Sequence, residues 1–115
     1  MLYQNMTGPE LKTKVSFVAS IKKINAELSR DTMRWCMVKA DRQAGDFKHA
    51  KLIYYQAIII KKELIGMPEF FLTGPSVDIM DGRHRLYALF DAGYTALTIC
   101  CKKMDLAGLE AKIGR

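Results

Sequence analysis

Apolar and polar positions along this chain follow two different periods, and the change from one to the other falls near Met67. Before it the spacing is mostly helical. Phe17, Ile21, Ile24 and Leu28 recur at alternating steps of four and three residues, which predicts a shared helix face. Thr7-Gly8-Pro9-Glu10 reads as a start for that helix, with Thr7 and Glu10 placed to cap one another's backbone and Pro9 where its missing donor costs nothing. Val15-Ser16-Phe17-Val18-Ala19 also alternates in the manner of a strand, so periodicity leaves both readings open, with helix the expectation. Asp31 predicts the N-cap of a second helix, with Met33, Met37, Ala40 and Ala44 on one face and Gly45 closing it. Trp35 lies off that stripe and is expected to pack on a neighbouring helix. A third helix is predicted over Phe47–Ile65, ending at Gly66. Its apolar residues include Leu52, Tyr55 and Ile59 as well as Ile53, Tyr54 and Ile60, so it should be central or should bury a second face against another element or subunit.

After Met67 short strands take over. Glu69-Phe70-Phe71-Leu72 and Val77-Asp78-Ile79-Met80 flank the turn residues Thr73-Gly74-Pro75-Ser76 and predict a hairpin. A helix follows Asp81, with Leu86, Leu89 and Phe90 on one face and Gly93 as its stop. Thr95–Cys101 then reads as a continuous apolar strand of the kind found inside a sheet, and Leu106, Leu109 and Ile113 mark a last short helix. The pattern predicts an α+β fold, a small mixed sheet flanked by helices with a mostly helical N-terminal part, in a single domain spanning residues 1–115.

Composition adds limits to this picture. Half the residues are apolar, which argues against disorder. The longest apolar run, Leu52–Ile60, is well short of the ~20 residues needed to cross a bilayer, and the N-terminus has no basic-then-apolar leader pattern, so a cytoplasmic protein without membrane partners is expected. Cys36 and the adjacent Cys100-Cys101 form neither an even disulfide set nor a CxxC metal pattern. The net charge of +6 is spread in lysine pairs, Lys22-Lys23, Lys61-Lys62 and Lys102-Lys103, and favours anionic partners only modestly.

Candidate chemistry concentrates at Asp81-Gly82-Arg83-His84-Arg85, between the second hairpin strand and the following helix. A helix N-terminus presents unpaired N–H groups and partial positive charge. With Gly82, Arg83, His84 and Arg85 in its first turn, it is suited to phosphate. Asp81 is the local candidate for a catalytic or magnesium-binding carboxylate, and is also the expected N-cap of the helix.

Met67-Pro68-Glu69-Phe70-Phe71, the Asp-Gly-x-x-Arg turn within Ile79–Leu89, and Ala92-Gly93-Tyr94 follow one another in the order of a known pattern. On these motifs residues 46–103, about half the chain, resemble the ParB/sulfiredoxin superfamily. Residues 1–45 have no counterpart in it and are expected to be a helical elaboration. The resemblance implies that Gly82 allows close backbone approach to nucleotide phosphate and that His84 and Arg85 contact it, with ATP or CTP and Mg²⁺ as ligands. It also suggests a mobile element such as a plasmid or phage. Two departures matter. Arg83 stands where sulfiredoxins carry their cysteine, so sulfinic acid reduction is not expected; it also stands where partition proteins carry a glutamate, which removes one carboxylate.

Three functions remain open at this level. One is a nucleotide-phosphate-binding protein, with NTPase or phosphotransferase activity if it turns over. Another is a small DNA-binding or nuclease-like module, using the lysine pairs and Tyr87 or Tyr94 for stacking. The third is a protein-interaction module in which the nucleotide site has decayed, for which the two-sided apolar helix and the seven methionines are the clues.

Overall fold

Ser20 decides the first architectural question. In the computed structural model, which describes residues 4–5, 14–31 and 47–115, Lys14–Ser20 is a strand (β2) and the helix α1 runs only over Ile21–Asp31. The Ser20 hydroxyl accepts the N–H of Lys23 at 3.3 Å and so caps α1. Strand therefore replaces the expected helix at Phe17. Val15, Phe17 and Ala19 pack inward at alternate positions, while Ile21, Ile24 and Leu28 form the buried face of α1 as their spacing predicts. The step of four from Phe17 to Ile21 joins the end of one inward row to the start of another. The predicted helix start at Thr7–Glu10 and the predicted second helix, with Trp35 and Cys36, lie outside the described residues, apart from Asp31, its expected N-cap, which is the last residue of α1.

The main sheet has four strands in the order β2, β6 (Ala96–Lys102), β4 (Glu69–Thr73), β5 (Ser76–Asp81). β4 (Glu69–Thr73) and β5 (Ser76–Asp81) form the predicted antiparallel hairpin, with an irregularity beside Glu69 where Glu69 pairs with Asp81 and Phe70 with Ile79. The helix α3 (Arg83–Asp91) then carries the chain to β6 (Ala96–Lys102), which lies antiparallel to β2 and parallel to β4. A separate two-stranded parallel pair joins β1 (Gln4–Asn5) to β3 (Ile65–Gly66). The described part of the N-terminal stretch thus supplies an outer strand of the main sheet as well as a helix.

The third predicted helix is shorter than its periodicity suggests: α2 covers His49–Ile60. It stops because Lys62 takes a positive φ of 58°, with Lys62 N–H bonded to the Ile59 carbonyl and Glu63 N–H to that of Ile58. This closing pattern normally uses glycine, as α3 does at Gly93. Gly66 is therefore in a strand and terminates nothing.

α4 (Leu106–Ile113) follows a short turn of 3-10 helix and buries Leu109 and Ile113. It touches β2, β4 and α1, and α1 also reaches β2 and β5, while α2 packs on α3. The radius of gyration, 13.4 Å, is that of a compact chain of this length, about 13 Å. The result is an α+β fold with a small mixed sheet and, among the described residues, four α-helices. None of these is long and apolar enough to cross a membrane.

Candidate functional site

The turn at Asp81–Arg85 is built around Pro68. Gly82 has φ +101°, and a Cβ there would stand 2.9 Å from both the Cα and the Cβ of Pro68, so only glycine fits. Gly82, not Asp81, is the N-cap of α3; Asp81 is the last residue of β5, which corrects the expected cap. Gly82 has no side chain with which to cap α3, and the first ring of the helix closes between Leu86 N–H and the Gly82 carbonyl at 2.9 Å. The three preceding amides of the helix have no intrahelical acceptor.

Beside this turn is an open depression of about 250 Å³ lined by Lys51, Ile79, Met80, Asp81, Gly82, Arg83 and His84. Four of the five predicted residues therefore meet there. Arg85 does not line it. Its guanidinium donates to Asp81 Oδ2 at 2.7 Å and lies 5.7 Å from the Tyr55 ring, with only 11% of the side chain exposed. The side chain that the resemblance assigns to phosphate is thus engaged with Asp81 and Tyr55 in this structure.

Arg83 and His84 are organised by Phe47. The Arg83 guanidinium carbon sits 5.5 Å from that ring, the His84 imidazole 4.7 Å from it, and Tyr87 stacks on it at 5.5 Å. His84 Nε2 accepts the backbone N–H of Lys48 at 2.9 Å. That nitrogen carries no proton in this arrangement, and it ties the start of α2 to the start of α3. Phe47 and Lys51 were not singled out from the sequence as parts of this site. They stand thirty or more residues before the turn, and the packing of α2 on α3 brings them to it.

Other candidate residues have different roles. Tyr87 is fully buried, which removes it as a stacking platform for bases, and Tyr94 is half-buried against the core. The Asp78 carboxylate accepts the N–H of Ile79 at 2.9 Å. His49 is exposed and meets Phe47 edge-on. Among the described residues no group of three His, Cys, Asp or Glu side chains could hold a metal ion.

A second polar feature escaped the sequence reading. Lys14 Nζ and Glu69 Oε1 form an almost buried ion pair at 2.5 Å that bridges β2 and β4, the two neighbours of β6. Glu69 is paired in register with Cys100, whose thiol points to the Pro68 carbonyl at 3.7 Å. The thiol of the adjacent Cys101 is pushed up from 9.0 to about 11, chiefly by burial and then by the charges of Asp105, Glu110 and Glu69 and by Cys100. No protein family, curated protein or solved structure matches this chain.

Proposed function

We propose that the depression at the start of α3 binds the phosphates of a nucleotide. The observation that carries this reading is the recess of about 250 Å³ at the N-terminus of α3, where Gly82 brings the helix start together with Lys51, Arg83 and His84. Backbone amides would hold phosphate oxygens, Lys51 would add an exposed mobile charge, and Arg83 a fixed one set on Phe47. The resemblance of residues 46–103 to the ParB/sulfiredoxin superfamily points the same way and suggests ATP or CTP.

Binding is better supported than turnover. Asp81, the candidate catalytic and magnesium-binding residue, is paired with Arg85, and Asp78 is bonded to its neighbour's amide. These donors do not make a resident metal centre. Mg²⁺ would arrive on the phosphates, with Asp81 as a single carboxylate beside it.

Calorimetric titration with ATP and CTP, with and without Mg²⁺, tests the reading against Lys51→Ala, an exposed substitution. Nucleotide binding that weakens about fivefold to tenfold in the variant is the expected result, the loss of one charge-assisted contact. Silence with both nucleotides, beside salt-sensitive binding of a short DNA duplex, would move the function to a nucleic-acid module.

A further inference from the structure

We infer that the outer face of α2 docks an acidic amphipathic helix of a partner protein. α2 is apolar around most of its circumference, and the core of the described residues uses only part of it. Leu52 is buried and Tyr55 and Ile59 pack on the core, while Ile53, Tyr54 and Ile60 are left 64%, 60% and 80% exposed. Ile53 and Ile60 are seven residues apart and share one line along the helix. Between this line and α3 runs a groove of about 260 Å³ lined by Gln56, Ile59, Ile60, Ala88, Asp91 and Ala92. A ridge of exposed apolar side chains beside a groove is the shape that receives another helix.

Charge selects the occupant. Between Lys48 and Lys62 the chain carries Lys48, Lys51, Lys61 and Lys62 and no carboxylate, with two lysines at each end of α2. A second copy packed antiparallel would set Lys48 and Lys51 against Lys61 and Lys62 of its partner, which repels. A parallel copy sets each pair against itself. The stretch 32–46 carries Arg34, Lys39 and Arg42 against Asp41 and Asp46, so it does not supply the missing negative charge either. An apolar ridge fills the groove, and glutamates or aspartates toward its two ends meet the lysine pairs while keeping clear of Asp91, the carboxylate on the α3 wall of the groove. A flat lipid surface would match the lysines and leave the groove unfilled.

The test is fluorescence anisotropy with the full chain and a labelled synthetic leucine–glutamate amphipathic helix of about 18 residues, long enough to run ~27 Å beside α2. Binding is expected to weaken at least about tenfold in Ile53→Ser/Ile60→Ser. It should weaken likewise in Lys48→Glu/Lys61→Glu, and the latter variant should gain affinity for the matching leucine–lysine peptide. Circular dichroism confirms that each variant is folded; because all four residues lie on the exposed face, a folded variant is expected. Failure of the acidic peptide to bind, or binding that both variants leave unchanged, overturns the proposal. So does binding of phosphatidylserine vesicles in its place, or a concentration-dependent doubling of mass that Ile60→Ser abolishes. None of these outcomes bears on nucleotide binding at the turn.

Discussion

Gly82 lies against Pro68 so closely that the added Cβ of any other residue would stand 2.9 Å from two of the proline's atoms. The positive φ of 101° at Gly82 and the packing of the β4 start against the α3 start are thus one constraint. Gly82→Ala meets both backbone strain and a clash with a rigid ring, and we expect it to cost about 2–4 kcal/mol. Gly93→Ala supplies the control. Gly93 also has a positive φ, 86°, but its Cβ would meet nothing within 4 Å, so strain alone applies, about 1–2 kcal/mol. Urea unfolding of the two variants side by side isolates the Pro68 contact. Equal losses would mean that the turn yields easily.

The ion pair of Lys14 and Glu69 links the outer strand β2 to β4 across β6. Lys14→Met leaves the Glu69 carboxylate almost buried without its cation, and Glu69→Leu does the converse. Each should lose about 3–5 kcal/mol, whereas the double variant, with apolar side chains at both positions, should recover most of that loss. A double-mutant cycle by urea denaturation measures the difference. Additive losses would show that the two side chains act separately.

Much of the C-terminal half was legible because its signals are local. The hairpin, the helix after Asp81, the strand β6 and α4 each carry their own period and turn residues within a few positions. What the sequence concealed depended on distant partners. The strand β2 looked helical because Phe17 ends one inward-facing row four residues before Ile21 begins another, and only the Ser20 cap marks the join. The extent of α2 was misjudged because Lys62 takes a conformation usually left to glycine. At the site, the turn and its glycine could be read directly. The platform of Phe47, the reach of Lys51 and the diversion of Arg85 to Tyr55 could not, since all three follow from α2 packing on α3. An aspartate before a helix usually caps it, but here Asp81 still belongs to β5 and its carboxylate takes the Arg85 guanidinium, so the N-cap position falls to Gly82.

Cys101 should be inert as a nucleophile and should make stability depend on alkaline pH. Its thiol is raised from 9.0 to about 11, so the folded state holds that proton more tightly than the unfolded chain does. The resulting stabilisation is fully present below pH 9 and is lost as pH rises through about 11, on the order of 2–3 kcal/mol in total. Lysines and tyrosines titrate in the same range, so the measurement is the difference between wild type and Cys101→Ala in urea midpoints from pH 8 to 11. With Cys36 and Cys100 replaced by alanine, the remaining native thiol should also resist a disulfide reagent at pH 8 and react once urea unfolds the chain. Ready reaction in the folded state would contradict the burial of this residue.

Arg85 is expected to act on stability and Lys51 on ligand affinity. The Arg85 guanidinium is held between Asp81, whose side chain is 73% exposed, and the Tyr55 ring. Removing the arginine uncovers Tyr55 and unties α3 from α2, so Arg85→Ala should cost about 2 kcal/mol, and Arg85→Lys should restore only part of it because an ammonium lacks the planar fork. Asp81→Asn should cost about 0.5–1 kcal/mol, because its partner keeps the aromatic contact and the pair is open to water on one side. Lys51 is exposed at the rim of the depression, so Lys51→Ala should leave the unfolding midpoint nearly unchanged while weakening nucleotide binding. Urea titrations of the four variants and calorimetry at a temperature where all are folded separate the two effects. If Arg85→Ala proves as stable as wild type and loses nucleotide affinity, the guanidinium reaches the phosphates in solution, and its pairing with Asp81 is the state it leaves when ligand arrives.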